Sequence, residues 1–129
     1  GTGMAIGDFN RDGFLELLIA HGERTAQPLS LYQVVPNDNH WIRVMPLTAQ
    51  GAPARGAVVT LVTEQRIQRR AINAGSGYLC QMEPVAHFGL GSQTQITRIQ
   101  VRWLDGRQVT IEAPTLDQFL RVPYPNSNP

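Results

Sequence analysis

The 129-residue sequence predicts an all-β protein. Short apolar runs and stretches of alternating apolar and polar residues recur along the chain, with turn-forming residues between them. Residues 57–63 are rich in β-branched side chains, which favours a central strand. The dipeptide Asp105-Gly106 interrupts an alternating stretch at residues 96–111, which indicates a hairpin with one buried face. The 42% hydrophobic content is ordinary for a globular fold that buries a core.

The strand pattern divides the chain into two folded parts. The predicted strands lie at residues 4–7, 14–20, 28–35, 41–46, 57–63, 66–72, in the hairpin at 96–111, and at 118–122. A turn-rich break at residues 36–39 predicts the boundary between a first domain at 1–36 and a second at 37–122. Residues 123–129 contain three prolines and predict a loose tail.

A short acidic loop between the first two strands concentrates the chemistry of the sequence. Its first, third, fifth and ninth positions all carry side-chain oxygens, and its sixth position is Gly13, which permits a sharp turn. Calcium takes about six to eight oxygen ligands, including backbone carbonyls. We therefore predict a Ca²⁺ site, with the seventh position providing its carbonyl. The predicted ligands are Asp8, Asn10, Asp12, Phe14 and Glu16.

Two alternatives to this calcium loop follow from the same residues. The first six positions also fit an EF-hand, but an EF-hand needs a bidentate Glu at its twelfth position, which here is Ile19. The loop can also be a solvated acidic turn without an ion. Ligand types and spacing agree with each other, which favours metal binding.

Composition excludes several other classes of protein. The net charge of +1 gives no nucleic-acid footprint, and no apolar run approaches the roughly 18 residues of a membrane span.

All 11 basic residues are Arg. Among them, Arg66, Arg69 and Arg70 cluster without stacking aromatics, which favours a solvated face over an anion patch. The lone Cys80 cannot form an internal disulfide.

The sequence contains only weak signals for catalytic groups. The stretch Gly75-Ser76-Gly77 matches neither a phosphate loop nor a hydrolase elbow. A thiolate pair of Cys80 and His87 has no evident third residue to orient it, and the spacing of Glu83 and Glu112 indicates no paired acids. We therefore predict that the protein is not an enzyme.

Several motifs resemble known families. The loop at residues 8–16 with its flanking strands resembles the calcium-binding FG-GAP or VCBS repeat of β-propellers, although that family more often has Asp where Glu16 stands. Five later motifs resemble, in order, the ASPIC and UnbV domain, and residues 75–91 are similar to the cartilage acidic protein family. These motifs are Trp41-Ile42-Arg43-Val44, Ala54-Arg55-Gly56-Ala57, Gly75-Ser76-Gly77-Tyr78-Leu79, His87-Phe88-Gly89-Leu90-Gly91 and Val101-Arg102-Trp103-Leu104-Asp105-Gly106-Arg107.

The resemblance implies a partial propeller blade at residues 1–36 and a β-sandwich-like ASPIC/UnbV domain at 37–122. It also implies a secreted or extracellular protein. We expect a calcium-binding, non-enzymatic binding or adhesion module whose partner is a protein or the extracellular matrix, with no nucleic acid and no membrane insertion. The alternative is a purely structural cap of a β-propeller without a partner of its own. The sequence sets no oligomeric state.

Overall fold

A computed structural model describes residues 3–22, 24–73, 75, 77–78 and 80–126. In these ranges the chain forms ten strands and no helix, which confirms the all-β prediction. The strands are β1 Gly3–Gly7, β2 Glu16–Ala20, β3 Ser30–Tyr32, β4 His40–Pro46, β5 Val58–Val62, β6 Ile67–Ala71, β7 Ala86–Gly91, β8 Arg98–Arg102, β9 Gln108–Glu112 and β10 Gln118–Val122.

The chain divides into two compact units. The first unit comprises Gly1–Asn37 with Asn73–Glu83, and the second comprises Asp38–Ile72 with Pro84–Pro129. The segment at 73–83 was predicted to lie in the second domain, but spatially it belongs to the first unit. There the thiol of Cys80 donates to the carbonyl of Met4 at 2.8 Å. Ser76 and Leu79 of the motif in this segment lie outside the described residues.

The first unit contains one antiparallel sheet in the order β1-β2-β3. Strands β1 and β2 form a hairpin whose last pair before the loop is Gly7 with Glu16. The strand predicted at residues 28–35 is only three residues long, from Ser30 to Tyr32. It starts beyond Pro28, whose missing N–H cannot join a strand ladder. That this sheet is part of a propeller blade stays a prediction.

The first unit leaves much of its apolar surface exposed. None of its described apolar side chains is fully buried, although large ones are common. Val35 is 82% exposed and Met4 is 54% exposed. The other exposed large apolar side chains among the described residues of this unit are Ile6, Phe9, Leu29, Leu31, Tyr32, Val34 and Tyr78. A sheet with such faces is typical of an element that packs against a neighbour.

The second unit is a β-sandwich. One sheet has the order β10-β4-β7, and the other has the order β6-β5-β8-β9. Strand β10 runs parallel to β4, while every other neighbouring pair in this unit is antiparallel. Inward-facing side chains of both sheets form one core, as alternation along a strand requires. Its fully buried members include Ile42, Val44, Val59, Leu61, Phe88, Ile99 and Val101.

The hairpin predicted at residues 96–111 is confirmed as β8 and β9. Gly106 adopts a φ of +87°, which a residue without Cβ tolerates, and its N–H donates to the carbonyl of Trp103 at 3.0 Å. Trp103 is 4% exposed. Its indole N–H donates to the carbonyl of Leu47 at 2.9 Å, so the buried ring keeps its hydrogen bond.

The chain after β10 is tied to the second unit at residues 124 and 125, in contrast to the loose tail that the prolines predicted. The ring of Tyr124 packs edge-on against Trp103 with a centroid distance of 5.8 Å. A guanidinium N–H of Arg107 donates to the carbonyl of Pro125 at 2.9 Å. Aromatic packing and a charge-assisted bond therefore order this segment. Residues 127–129 lie outside the described part of the chain.

Candidate calcium site

The acidic loop joins β1 to β2, and the hairpin brings its two ends together. Because Gly7 pairs with Glu16, the side chains of Asp8 and Glu16 lie at the neck of the loop. Asp8 is 7% exposed and Glu16 is 2% exposed. Carboxylates are rarely this buried unless a partner compensates their charge. The neck of the loop therefore holds two largely buried carboxylates whose charge needs a compensating partner.

Asp8 organises the turn through its carboxylate. Its Oδ1 accepts a hydrogen bond from the N–H of Asp12 at 3.0 Å, and its Oδ2 accepts one from the N–H of Gly13 at 3.0 Å. Gly13 has a φ of +88°, in the left-handed region that favours glycine. The glycine predicted for a sharp turn therefore makes it, and the turn wraps the backbone around Asp8.

Asn10 and Asp12 lie on the exposed part of the loop. The amide oxygen of Asn10 accepts from the N–H of Asp12 at 3.0 Å, and Oδ1 of Asp12 accepts from the N–H of Phe14 at 2.8 Å. The side-chain amide of Asn10 also donates to Oδ2 of Asp12 at 2.8 Å. These bonds restrict both side chains to the loop. For Phe14 the structure gives the N–H bond, and the role of its carbonyl as a ligand stays a prediction.

Glu16 is the most buried acidic residue of the loop. Its Oε2 accepts a hydrogen bond from the N–H of Phe9 at 2.7 Å. Within the described ranges, no Arg or His forms an ion pair with Glu16. A carboxylate can accept about four hydrogen bonds, so a single amide satisfies Glu16 only in part. A cation bound beside it would compensate the buried charge.

Sequence reasoning missed one acidic residue beside the loop. The Oε1 of Glu83 accepts a hydrogen bond from the N–H of Asp8 at 3.2 Å, across a separation of 75 residues. Glu83 belongs to the segment at 73–83 that packs with the first unit. No local spacing signals such a contact. Its carboxylate adds to the negative charge near the neck of the loop.

The oxygen donors of the loop are of the type that a hard cation prefers. In the described part of the chain, no three His, Cys, Asp or Glu side chains are grouped closely enough to hold a metal ion. Amide and carbonyl oxygens also serve as calcium ligands. A bound ion would be held by Asp8, Asn10, Asp12, the carbonyl of Phe14 and Glu16. This assignment stays a prediction.

Cys80 and His87, the candidate thiolate pair, each have other contacts. The thiol of Cys80 donates to the carbonyl of Met4, as described above. His87 is half-buried in β7, where its ring stacks on Trp41 with a centroid distance of 6.5 Å and an interplanar angle of 9°. The contacts of His87 are those of a strand residue that takes part in packing.

A cleft of about 320 Å³ in the second unit is lined by residues from two of the ASPIC-like motifs. Arg55, Ala57, Trp103 and Asp105 contribute to its walls, together with Tyr124. The hydroxyl of Tyr124 donates to Asp105, and this bond is the main reason that the pKa of Asp105 is lowered. The N–H of Arg107 lowers the pKa of Asp105 further. The same Tyr–Asp bond raises the pKa of Tyr124.

The described residues include no helix with the length and apolar character needed to span a membrane.

The fold and the loop define a class: an all-β module in which a β-sandwich accompanies an oxygen-rich strand–loop–strand unit. A family model described as ASPIC and UnbV matches residues 47–129, so the chain belongs to the ASPIC and UnbV family. The match lies downstream of the acidic loop.

The chain is also similar to curated relatives named cartilage acidic protein 1. It is 45% identical over 129 residues to the Mus musculus and Homo sapiens proteins, covering 97% of this chain and 20% and 19% of those relatives. The Xenopus tropicalis protein is 45% identical over 132 residues, covering 99% of this chain and 20% of the relative. The chain therefore spans about a fifth of the length of the curated relatives it matches. The name of these relatives does not describe an enzymatic activity.

Proposed function

We propose that this chain is a calcium-binding, non-enzymatic module of an extracellular protein, and that it binds a protein or another component of the extracellular matrix. The observation that carries the calcium proposal is the pair of buried carboxylates, Asp8 and Glu16, at the neck of a loop whose turn also positions Asn10 and Asp12. Three carboxylates from the loop would bring a formal −3 to a +2 ion. The similarity to cartilage acidic proteins supports the extracellular setting.

The ion would compensate buried charge and fix the loop. Extracellular calcium modules bind with dissociation constants of about 10⁻⁴ to 10⁻³ M, so millimolar calcium would add roughly 0.4 to 1.5 kcal/mol to stability. That free energy is enough to order a loop and its flanking strands. No reaction is assigned to the ion, and we propose no catalytic residue.

The test is calorimetric titration of the chelator-treated chain with Ca²⁺, with Mg²⁺ as the competing ion. We expect saturable Ca²⁺ binding with a weaker Mg²⁺ response, because Mg²⁺ demands near-octahedral geometry and dehydrates reluctantly. Asp8→Ala and Asp12→Ala should abolish the calcium-dependent rise in thermal stability. Asp38→Ala, which removes an exposed Asp outside the first unit, is the matched control. Loop variants that keep the full calcium response would contradict the ligand assignment.

A second candidate function is a structural cap of a β-propeller, and the exposed apolar surface of the first unit favours it. Met4, Leu31 and Val35 are all more than half exposed in this chain. A neighbouring blade of an FG-GAP or VCBS propeller would cover such side chains. Joining this chain to the preceding repeats of a relative should then protect Met4 and Leu31 from solvent labelling. Equal labelling with and without those repeats would contradict the cap.

A further inference from the structure

The outward side of the second unit's four-stranded sheet carries a cluster of arginines. Side chains alternate between the two sides of a strand, and residues paired across neighbouring strands point to the same side. Thr60 of β5 pairs with Arg69 of β6 and with Gln100 of β8, while Val58 pairs with Arg102. These residues therefore share the side that faces away from the core. We call this surface the arginine face; its charged and polar members are Thr60, Arg69, Arg98, Gln100, Arg102, Gln108, Thr110 and Glu112.

The arginine face carries more positive than negative charge. Arg69, Arg98 and Arg102 are exposed, and in the described structure their guanidinium groups form no hydrogen bond or ion pair. Glu112 is the one acidic residue at the outward positions of these four strands, all of which are described. Glu112 lies opposite Arg98 in the register of β8 and β9, whereas Arg69 and Arg102 have no carboxylate opposite them. The excess of positive charge favours an anionic ligand.

The run Arg66, Arg69 and Arg70 does not act as one patch. A guanidinium N–H of Arg66 donates to the carbonyl of Gly89 at 2.9 Å, and the guanidinium of Arg70 lies 5.5 Å from the centre of the Phe88 ring. Only Arg69 points to the arginine face. The cluster is formed across strands, by Arg69 together with Arg98 and Arg102, and adjacent residues in the sequence do not indicate it.

The middle of the arginine face is concave and polar. A cleft of about 220 Å³ lies between Arg69 and Arg102, with Val58 and Thr60 also in its lining. Gln100 and Gln108 complete the lining, and the amide of Gln100 donates to the side-chain oxygen of Gln108 at 2.7 Å. Amide and hydroxyl groups both donate and accept, so they suit the hydroxyls of a sugar.

The side chains of this face suit a sulfated polymer better than single-stranded nucleic acid or a lipid surface. Guanidinium groups bind sulfate and other oxyanions with two parallel hydrogen bonds. Single-stranded nucleic acid also needs aromatic side chains on which bases stack, and the outward positions of these strands contain none. Insertion into a lipid surface needs a broad apolar face, and Ile67 is the one large exposed apolar side chain here.

We propose that the arginine face binds a linear sulfated polysaccharide. Sulfates contact Arg69 and Arg102 on either side of the cleft, and the sugar hydroxyls contact Gln100 and Gln108. Arg98 and Arg102 are four residues apart on β8, about 13 Å along the strand, so successive sulfates of one polymer reach both. The extracellular setting rests on the proposed function, but this site does not involve the calcium loop.

The test measures binding of the 129-residue chain to immobilised heparin in a chelating buffer at several salt concentrations. Arg69→Gln and Arg102→Gln should each weaken binding about two- to five-fold, as expected for exposed charge pairs. The double variant should also reduce the steepness of the salt dependence, because fewer counterions are released. The matched control is the double variant Arg55→Gln with Arg121→Gln, which removes two exposed arginines outside this face.

Several results would overturn the proposal. One is the absence of heparin binding at about 50 mM salt, where screening between exposed charges is modest. Others are equal weakening by the control variant, binding to non-sulfated hyaluronan as tight as to heparin, or tighter binding to single-stranded DNA. Asp8→Ala separates the two sites: heparin binding that survives this change supports an independent arginine face, and its loss contradicts independence. Circular dichroism verifies the fold of each variant.

Discussion

The two units of this protein bury opposite kinds of side chain. In the second unit the buried residues are mainly apolar, and they form one core between two sheets. Among the described residues of the first unit, the buried side chains are the carboxylates of Asp8 and Glu16, while large apolar side chains such as Val35 lie exposed. The second unit therefore carries its own hydrophobic stabilisation. The first unit shows no such core in its described part, and its loop is held by hydrogen bonds to the carboxylates of Asp8 and Glu16. The proposed calcium ion would add to this stabilisation.

The largest effect is expected in the core of the second unit. Phe88 is fully buried, so Phe88→Ala should lower the free energy of unfolding by about 3–5 kcal/mol through lost burial and a cavity. Urea denaturation measures the change. Leu104→Ala, which truncates a side chain that is 80% exposed, should cost less than about 0.5 kcal/mol. Equal costs would break the contrast between a packed core and a surface.

A matched pair of glycines compares the units directly. Gly13 and Gly106 have φ values of +88° and +87°, so Ala at either position should cost about 1–2 kcal/mol in left-handed strain. Gly106→Ala should lower the unfolding midpoint of the second unit. Gly13→Ala should open the acidic loop. The backbone amide at position 13 should then exchange its hydrogen faster, and the calcium response should be weaker. An unchanged loop would argue against dependence of the first unit on its turn.

The variant Glu16→Gln tests how the buried charge of Glu16 affects stability with and without calcium. Without calcium this substitution should leave stability unchanged or raise it slightly, because it removes a buried charge but keeps an acceptor for the N–H of Phe9. With millimolar calcium the variant should lack the roughly 0.4 to 1.5 kcal/mol that the ion adds. Thermal unfolding with and without calcium tests this reversal. The control is Glu64→Gln, an exposed position in the second unit.

The smallest effect concerns Asp105 and Tyr124. Because the Tyr124 hydroxyl lowers the pKa of Asp105, the bond adds stability above the ordinary Asp pKa of 3.8, and that stability is lost as pH falls through the lower folded value. The pKa of Tyr124 is raised from 10.0, so its share is complete below pH 10.0 and is lost as pH rises through the folded value.

Tyr124→Phe should move the pKa of Asp105 up towards its ordinary value, as measured by NMR titration of its carboxyl carbon. The remaining ring can still pack against Trp103. Tyr32→Phe, in the first unit, should leave the Asp105 titration unchanged. An identical titration in wild type and Tyr124→Phe would show that the hydroxyl does not cause the lowered pKa of Asp105.

Local patterns predicted local structure well. The alternation of Ile99, Val101 and Trp103 with polar neighbours identified both the hairpin and its buried face, because strand periodicity maps directly onto burial. The spacing of the acidic loop correctly placed a turn at Gly13 between two strands. Whether that turn binds calcium stays a prediction.

The sequence patterns did not predict contacts between residues that are distant in the chain. Glu83 joins the loop region from 75 residues away, and no periodicity encodes that distance. The arginine cluster was judged from Arg66, Arg69 and Arg70, although the face is completed by Arg98 and Arg102 across β5. The segment at 73–83 was assigned by sequence order, whereas its packing places it with the first unit.

The parallel pairing of β4 with β10 affects when the second unit can complete its fold during synthesis. These are its first and last strands, and Ile42 pairs with Gln118. A ribosome that has released β4 through β9 has therefore not yet provided the strand that completes their smaller sheet. Non-local pairing slows folding, and an unpaired strand edge invites association with other chains. During synthesis, the edge of β4 should therefore stay unpaired until β10 emerges.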